Sequence, residues 1–464
     1  MNSRTFRIWL RPGIGIKRWV GLFMFAVILS GLAIAMFSAW IYRNYDFPDQ
    51  MADSVAWITL QPIPHPWRGL LILAVALVIL AWAFLRLSNS LLTPFISSDT
   101  ASRTIAEILN EHRFGPAQPE LNVVAIGGGT GLSALLRGLK LHNIDITAIV
   151  TVADDGGSTG RIRNDFNMPA PGDIRNCMVA LADDESLMSR LFHYRFDIEG
   201  SELAGHSFGN LFITAMTQVT GSFEQAVIES SDVLNVRGRV LPSTVENVTL
   251  CAHMADGTVL KGESTIAHEK PAIERIFLEP NAPEAYTPAL AALLKADLIL
   301  LGPGSLFTSV LPNLLVDGVR EAIRWSSAPT VYVCNVATQH GETDNFGYED
   351  HVREVMEYLG PDQLNYALVN DNPAAASAIR DEWDVEAILY DGASTIDDSV
   401  EIIARDVVND SNPLRHDPEK LSAVLLDIAR RAAAERAEVR ATRGAGSVVE
   451  HPVTAGAERQ RYSA

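Results

Sequence analysis

The sequence predicts an α/β domain with a mostly parallel sheet, preceded by two transmembrane helices. After residue 121, apolar strand-like runs repeatedly end in glycine-rich or polar loops and then lead into helical patterns. This alternation is typical of a parallel sheet that is covered on both faces. Before residue 90, two long apolar segments carry no charged residue. The 464 residues allow about two to three domains.

The two apolar segments are residues 19–42 and 69–85, within a predicted membrane anchor over residues 1–90. Arginines bracket both segments: Arg18, Arg43, Arg68 and Arg86. The first segment is long enough to span a bilayer, and the second is at the lower limit, so it depends on its arginines reaching the interface. A cleaved signal peptide is the alternative for the first segment, and a buried core helix is the alternative for the second.

The charges around these segments predict their orientation. Five basic residues without an acid precede the first segment: Arg4, Arg7, Arg11, Lys17 and Arg18. The connecting loop instead carries Asp46, Asp49 and Asp53. By the positive-inside rule we expect a two-span protein of the cell membrane, with both termini and the main domain in the cytoplasm.

The remaining chain divides into a linker over residues 91–120, a main domain over 121–431 and a terminal region over 432–464. The terminal region is predicted to be a fraying helix followed by a disordered tail. Within the main domain, the segment VENVTLCAHMADGTVLKGESTI alternates around Asp256-Gly257. This pattern predicts a β-hairpin, inserted or added at an edge of the sheet.

Composition excludes several classes of function. The net charge of −19 argues against nucleic acid as a partner, because phosphate backbones bind basic faces. The three cysteines, Cys177, Cys251 and Cys334, form no C-x-x-C pair and have no histidine at zinc-binding spacing. We therefore expect neither a disulfide scaffold nor a structural zinc site, and a reducing compartment fits better.

The first candidate loop follows the apolar run VVAI and consists of Gly127, Gly128, Gly129, Thr130 and Gly131. A dinucleotide fingerprint would need glycine at position 132, which is Leu132, and no Gly-Lys-Ser/Thr follows to make a P-loop. Glycines allow backbone N–H groups and a helix N-terminus to approach an anion closely. The loop predicts a phosphate-binding site, and the alternative is a tight turn that needs glycine only for steric reasons.

The second loop follows the next strand and contains Asp154, Asp155, Gly156, Gly157, Ser158 and Arg161. Paired carboxylates there can accept ribose hydroxyls or hold Mg²⁺ beside a diphosphate. The glycines and the serine add backbone donors, and the arginine can bind phosphate in bidentate fashion. An ordinary surface turn is the alternative.

Two further motifs have strong structural alternatives. In PGDIRN, the candidate ligand contacts are Asp173, Arg175 and Asn176, although Asp173 could simply begin a helix as its N-cap. In GHSFGN, the candidates are His206 and Asn210. That motif also matches G-x-S-x-G, which would make Ser207 the nucleophile of a hydrolase. The preceding DIEGSELA is polar, however, and does not supply the strand that a nucleophile elbow needs.

The last two loops complete the predicted site. After ADLILL come the fifth-loop candidates, Gly302, Gly304, Ser305, Thr308 and Ser309, which predict a second strand–glycine–helix anion site. Asn335 and Thr338, in the sixth loop, follow another strand and suit sugar or base recognition. Ligands of open α/β sheets lie beyond the carboxyl ends of the strands, so we expect all of these loops to form one crevice. Two anion sites in one crevice suit a ligand with two phosphates, or a ligand with a phosphate and a second polar group.

A series of ordered segments resembles a known family. They are GGGTGLSALLRGLK, VADDGGSTGRIR, PGDIRN, GHSFGNL, VLPST, GPGSLFTSVLPNLL, NVATQHGET and RHDPEKLSAVLL. Together they are similar to the YvcK family, also called gluconeogenesis factors, within the wider group of CofD-like proteins. The resemblance implies a Rossmann-like three-layer, doubly wound domain that binds a UDP-sugar, chiefly UDP-N-acetylglucosamine.

The resemblance also implies a function. It implies a metabolite-sensing regulator of cell shape and peptidoglycan precursor supply, with no catalytic residue and no required cofactor. A homo-oligomer with protein partners in cell-wall metabolism is expected. The alternative is a transferase like the related CofD enzymes, which move a phospholactyl group to a deazaflavin precursor using Mg²⁺. Asp154 and Asp155 correspond in place to the metal loop of those enzymes.

The chain departs from the family pattern in two respects. It has two predicted membrane spans, whereas the family is usually described as soluble. It also has DGGSTG and TQHGE where the family usually has DGGSSG and TQPGE. The first change is conservative, and the second places His340 in the sixth loop.

Overall fold

The computed structural model describes residues 121–182, 187–197, 200–267 and 272–445, together with positions 31 and 35. The chain divides into two compact units, Met1–Gln118 and Pro119–Ala464. The predicted membrane segments, apart from those two positions, and the predicted linker lie outside the described residues. Within the described part of the chain, no helix is both long and apolar enough to cross a membrane.

The second unit contains twelve strands among the described residues. In chain order they are β1 (Asn122–Gly127), β2 (Asp145–Val150), β3 (Arg239–Pro242), β4 (Thr249–Met254), β5 (Val259–Lys261), β6 (Ile273–Glu279), β7 (Leu298–Leu301), β8 (Thr330–Val333), β9 (Tyr366–Asn370), β10 (Glu401–Arg405), β11 (Val408–Asn409) and β12 (Asn412–His416).

The main sheet has the order β10-β9-β8-β7-β1-β2-β3, and every neighbouring pair is parallel. Strand β1 is buried at every position from Val123 onward, because both of its faces are covered. The order reverses between β1 and β7, which is the topological switch point where open α/β sheets bind ligands. The predicted α/β fold with a mostly parallel, Rossmann-like sheet is confirmed.

The helices of this unit, again among the described residues, lie between the strands along the chain, and five of them fall between β2 and β3. They are α1 (Gly129–Leu139), α2 (Gly157–Phe166), α3 (Gly172–Leu181), α4 (Leu187–His193), α5 (Phe208–Thr220), α6 (Phe223–Val233), α7 (Glu263–Ile266), α8 (Thr287–Leu294), α9 (Val319–Trp325), α10 (Tyr348–Leu359), α11 (Pro373–Ser377) and α12 (Pro418–Ala445).

Helix α1 links the first loop to the core. Its apolar residues Leu132, Leu135, Leu136 and Leu139 are fully buried, as its spacing of apolar positions predicts. The helix packs against α3 and α12. At Gly138 a Cβ would lie only 2.0 Å from the carbonyl oxygen of Pro418, so only glycine allows α12 to approach this closely. Helix α12 ends at Ala445, inside the region that the sequence assigns to a helix and a tail.

The predicted hairpin is present as β4 and β5, which pair antiparallel around Gly257 in the left-handed region (φ +84°). It does not extend an edge of the main sheet. Strand β4 also pairs with β6, so the hairpin belongs to a separate three-stranded sheet inserted between β3 and β7. The sequence analysis missed β6 because its IERIFLE run mixes charged with apolar residues.

A second hairpin, β11–β12, has no counterpart in the sequence analysis. Its two short antiparallel strands follow the last strand of the main sheet and lead directly into α12. The segment is polar, and its strands are too short to show an alternating pattern. Its position matters for function, since it brings residues close to the switch point.

Candidate functional site

The first and fifth loops meet at the switch point. The backbone register aligns Ile126 with Leu301, so the loops that follow β1 and β7 leave the sheet side by side. At Gly131 a Cβ would lie 2.6 Å from the carbonyl oxygen of Pro303. Gly129 has φ +63°, which lets the chain turn from β1 into α1. Glycine is therefore required here for contact between the loops as well as for access to a ligand.

A crevice of about 690 Å³ opens beside these loops. Its lining includes eight residues that the sequence analysis proposed: Gly129, Thr130, Gly131, Gly304, Ser305, Thr308, Asn335 and Thr338. It also includes residues that the analysis missed, among them Glu263, Gln339, Glu342, Arg415 and His416. Helix α1 begins at Gly129, so the positive end of an eleven-residue helix opens into the crevice. The volume is that of a small-molecule site.

The fifth loop differs from its prediction. The residues after Gly304 do not form a long helix, because Leu306–Val310 is a single π-helical stretch and Leu311–Leu315 is a 3₁₀ turn. Pro312 lacks the N–H that a continuous α-helix needs there. The expected second helix dipole is therefore absent from this loop. What it offers are the hydroxyl groups of Ser305 and Thr308 and the backbone N–H of Gly304.

A network of amide side chains holds the fifth and sixth loops together. Gln339 Nε2 donates a hydrogen bond of 2.8 Å to Ser305 Oγ. Asn335 Oδ1 accepts from the backbone N–H of Gly304 at 3.4 Å, and Asn335 Nδ2 donates to Gln339 Oε1 at 3.4 Å. The long distances within this network leave its polar groups able to adjust to a ligand.

Glu342 is a buried acid in the crevice wall. Its side chain is 7% exposed, and Thr308 Oγ1 donates a hydrogen bond of 2.9 Å to Oε1. Its other oxygen, Oε2, is buried without a partner in the described part of the protein. Burial raises the pKa of Glu342 to about 7, against the opposing effect of the Thr308 hydrogen bond. Glu342 therefore adds a buried carboxyl group with one unsatisfied oxygen to the wall of the crevice.

The second hairpin supplies the positive charge. Strand β12 places Arg415 and His416 in the crevice wall. Burial lowers the pKa of His416 to about 4, so the ring is neutral at pH 7 and its Nε2–H donates to the carbonyl oxygen of Cys334 at 3.1 Å. Arg415 is exposed. Among the described lining residues it is the only arginine or lysine, and no described carboxylate forms an ion pair with it.

The second loop does not provide the predicted metal pair. Asp154 Oδ1 accepts from the backbone N–H of Gly156 at 2.8 Å, whereas Asp155 Oδ1 accepts from the backbone N–H of Ser264 at 2.8 Å. Asp155 therefore holds the start of α7 and lines neither this crevice nor the pocket described below. Over the described ranges, no group of three metal-ligating side chains is present. The pair does not fit Mg²⁺, and we assign no step to a metal.

The carboxyl group of Glu263 lies beside that of Asp154, and a hydrogen bond links the two side chains. Burial and then the negative charge of Asp154 raise the pKa of Glu263 well above its usual range. Asp173 lies close by and accepts from the backbone N–H of Gly129, and burial raises its pKa to about 7. A Cβ at Gly128 would lie 2.5 Å from Asp173 Oδ2. Asp173 thus links α3 to the first loop from behind the crevice.

The fourth motif forms a buried structural network. Ser207 is 1% exposed and is the N-cap of α5, accepting from the backbone N–H of Asn210 at 3.2 Å. Its oxygen also accepts from Arg175. His206 contacts Ser158 Oγ at 3.0 Å through Nδ1, rather than Ser207. Since Ser207 has no base on its hydroxyl and no strand element leads into it, the hydrolase alternative is not supported.

The remaining predicted residues separate into two groups. A second cavity, which we name the α2–α3 pocket, is lined by Asp154, Gly156, Gly157, Ser158, Thr159, Gly172, Arg175, Asn176 and Arg195. The expectation of one crevice is therefore corrected to two cavities. Neither lining includes Gly127, Gly128, Arg161, Asp173, His206, Asn210, Gly302 or Ser309. Arg161, proposed to bind phosphate, instead donates to the carbonyl oxygen of Ala204 at 2.7 Å.

Comparison with known proteins identifies a matching family and several relatives of this chain. The family described as 2-phospho-L-lactate transferase CofD matches residues 123–408. A "Putative gluconeogenesis factor" of Nostoc sp. is 43% identical over 425 residues, covering 90% of this chain and 91% of that protein. Coverage of this size includes much of the segment before residue 121. The "Gluconeogenesis factor" of Bacillus subtilis is 45% identical over 315 residues, covering 66% of this chain and 97% of that protein.

A solved structure also matches the fold. The crystal structure of a member of the UPF0052 family from Bacillus halodurans has a TM-score of 0.62 and 43% sequence identity to this chain. The match covers 67% of this chain and 100% of the chain in the crystal structure. The family match covers more than half of the sequence and includes every loop that lines the crevice except the one carrying Arg415. This chain is a member of the CofD-like family and a homologue of the gluconeogenesis factors.

Proposed function

We propose that this protein is a gluconeogenesis factor that binds a nucleotide sugar in the crevice, with UDP-N-acetylglucosamine as the first candidate. The observation that carries the proposal is that Arg415 and the N-terminus of α1 line the same cavity. An unpaired guanidinium and a helix N-terminus both bind phosphate oxygens. Together they suit a diphosphate, whose two groups need separate sets of donors.

The other crevice residues suit the sugar or the base. Gln339, Asn335 and Thr338 offer donors and acceptors near the fifth loop, and the free oxygen of Glu342 can accept from a hydroxyl or N–H group. The preference for uridine and for N-acetylglucosamine rests on the family resemblance. The same resemblance supports a regulator of cell shape and peptidoglycan precursor supply.

The membrane anchor and the partners remain proposals as well. Residues 19–42 and 69–85 would hold the main domain at the cytoplasmic face of the cell membrane, as their flanking charges predict. Ligand binding would then act on protein partners in cell-wall metabolism and on self-association of the protein. Fractionation of cells that express the full-length protein tests the anchor: recovery in the soluble fraction would contradict it.

A competition experiment tests the ligand class. The full-length protein is dialysed against labelled UDP-N-acetylglucosamine, with UMP, N-acetylglucosamine 1-phosphate or NAD as competitors. We expect both halves of the nucleotide sugar to compete weakly and NAD not to compete, since Leu132 replaces the third glycine of the dinucleotide fingerprint. Strong competition by NAD would reassign the crevice to a dinucleotide.

A second candidate, a CofD-like phospholactyl transferase, is favoured by one observation. The family profile that matches residues 123–408 carries the description of that enzyme. Incubation of the protein with Mg²⁺, a deazaflavin acceptor and a phospholactyl donor tests it directly. Turnover would establish the transferase. Absence of turnover, from protein that binds the nucleotide sugar, would favour the regulator.

A further inference from the structure

The α2–α3 pocket is a cavity of about 260 Å³ that shares no lining residue with the crevice. The two cavities are nevertheless neighbours. Glu263 lines the crevice, Asp154 lines the pocket, and the two carboxyl groups are hydrogen-bonded to each other. The acid pair therefore lies between two separate binding volumes.

The pocket contains a buried cation whose hydrogen bonding is incomplete. Arg175 is 6% exposed, and its Nε is buried without a hydrogen-bond partner in the described structure. Its other N–H groups donate to neutral oxygens of Ser207, Asn210 and Asn176. No described carboxylate forms an ion pair with it. A buried guanidinium whose donors are not all used can bind a further acceptor, and an anion there would accept a charge-assisted hydrogen bond.

A second arginine strengthens this argument. Arg195 lines the same pocket and is exposed, with one N–H donating to the carbonyl oxygen of Gly205 at 3.1 Å. Burial lowers the pKa of Arg175 and the charge of Arg195 lowers it further, whereas the charges of Asp173 and Asp154 raise it. Two guanidinium groups at one cavity repel each other unless an anion lies between them. Asp154 is the one acid in the described lining, and it acts on Arg175 together with the buried Asp173, so these two carboxyl groups offset part of the positive charge.

The backbone contributes further donors. Helix α2 begins at Gly157 and α3 begins at Gly172, and each is ten residues long. Neither helix has a side chain that caps its first N–H groups. These N–H groups are available to an acceptor in the pocket, and both helix dipoles favour negative charge there. A tetrahedral anion with several acceptor oxygens matches this set of donors.

We propose that the α2–α3 pocket binds the phosphate group of a second ligand, at the same time as a nucleotide sugar occupies the crevice. This proposal depends on the proposed function in one respect only, which is the identity of the ligand in the crevice. A protein with both sites filled would respond to two metabolites, with the Asp154–Glu263 pair in contact with both cavities.

Calorimetric titration of the full-length protein with inorganic phosphate, in a chloride buffer, tests the pocket. We expect binding that R195Q weakens by about tenfold or more, since a charge-assisted hydrogen bond is lost. R239Q is the matched control, because Arg239 is another exposed arginine, paired with Asp145 at 3.6 Å. R175Q should abolish binding, provided that its circular dichroism shows a folded protein. Wild-type affinity in R195Q, or no phosphate binding by the wild-type protein, would overturn the proposal.

The same titration with the crevice occupied tests whether the sites are separate. At saturating UDP-N-acetylglucosamine we expect phosphate to bind with nearly unchanged affinity, and displacement of phosphate would overturn the separation. Titration with glycerol 3-phosphate shows whether the pocket prefers free phosphate or a phosphate monoester. Tighter binding of glycerol 3-phosphate than of inorganic phosphate indicates a monoester. If phosphate binds through Arg195 while the nucleotide sugar does not bind at all, the proposed function fails and the pocket stands.

Discussion

Thr308 Oγ1 donates a hydrogen bond of 2.9 Å to one oxygen of Glu342, while the other oxygen of that carboxyl group has no partner among the described residues. The contact fixes the acid in the wall of the crevice. It also leaves one strong acceptor unsatisfied, which is costly in a folded protein unless a ligand uses it. We therefore expect the Glu342 carboxylate to lower the stability of the fold while it contributes to ligand binding.

The first prediction concerns the pH dependence that Glu342 causes. Burial raises its pKa to about 7 from 4.5 in the unfolded chain, so the folded state binds more protons between these values. Stability is then greatest below pH 4.5 and falls as the pH rises to 7, by up to roughly 3 kcal/mol. E342Q should remove this loss and raise the free energy of unfolding at pH 8 while weakening ligand binding.

Urea unfolding at pH 5 and pH 8 checks this prediction. The matched control is E274Q, because Glu274 is exposed on β6 and should change stability little at either pH. A free energy of unfolding for E342Q that lies below that of the wild-type protein at pH 8 would show that the Glu342 carboxylate stabilises the fold. That outcome would remove Glu342 from the proposed set of ligand acceptors.

The second prediction concerns Arg415, the cation of the crevice. R415Q should weaken binding of UDP-N-acetylglucosamine by at least about tenfold, because a charge-assisted hydrogen bond to phosphate is lost. Since Arg415 is exposed, the midpoint of thermal unfolding should not change. R320Q, at an exposed position of α9, is the control and should bind as the wild-type protein does. Equal affinity in R415Q would exclude the β12 hairpin from the site.

The third prediction concerns contact between the glycine loops. In G131A the new methyl group would lie 2.6 Å from the carbonyl oxygen of Pro303, which forces the two loops apart. We expect a loss of stability of about 1–3 kcal/mol from overpacking, together with weaker ligand binding. In G347A, by comparison, the nearest atom would be 3.6 Å away, at Asp350 Oδ2, so only a small change is expected. Chemical denaturation of the two variants compares them directly.

The fourth prediction separates the two acids of the second loop. D155A removes the acceptor for the backbone N–H of Ser264, so it should lower stability by about 1 kcal/mol and leave ligand affinity nearly unchanged. D154N alters the partner of Glu263 and should change ligand binding. Parallel measurements of thermal unfolding and ligand affinity check both variants. Loss of ligand affinity in D155A, with its stability intact, would restore Asp155 to the site.

The sequence pointed to residues of the crevice where these residues lie in a loop that directly follows a strand of the main sheet. The glycines after β1 and β7 predicted both the switch point and the crevice, because parallel strands end at the same edge of a sheet. The sequence could not show that the carboxylates of the predicted metal pair have different partners, since adjacent side chains such as Asp154 and Asp155 can turn in different directions. No local pattern distinguishes those orientations before the inserted sheet and α7 are in place.

Residues contributed from distant segments were the hardest to predict. Arg415 lies in a hairpin too short to be recognised, and Glu263 begins α7, just after strand β5 of the inserted sheet, so neither follows a strand of the main sheet. Arg415 lies within a segment of family resemblance, yet that resemblance assigned it no role. The division into two cavities likewise depends on the Asp154–Glu263 contact, which joins residues more than one hundred positions apart.

The central claim is that the crevice binds a nucleotide sugar, and a calorimetric titration of the full-length protein with UDP-N-acetylglucosamine tests it most directly. We predict saturable binding to one site per chain, weakened in R415Q and retained in R320Q. Absence of binding at millimolar ligand, from protein shown to be folded by its cooperative thermal unfolding, would contradict the claim.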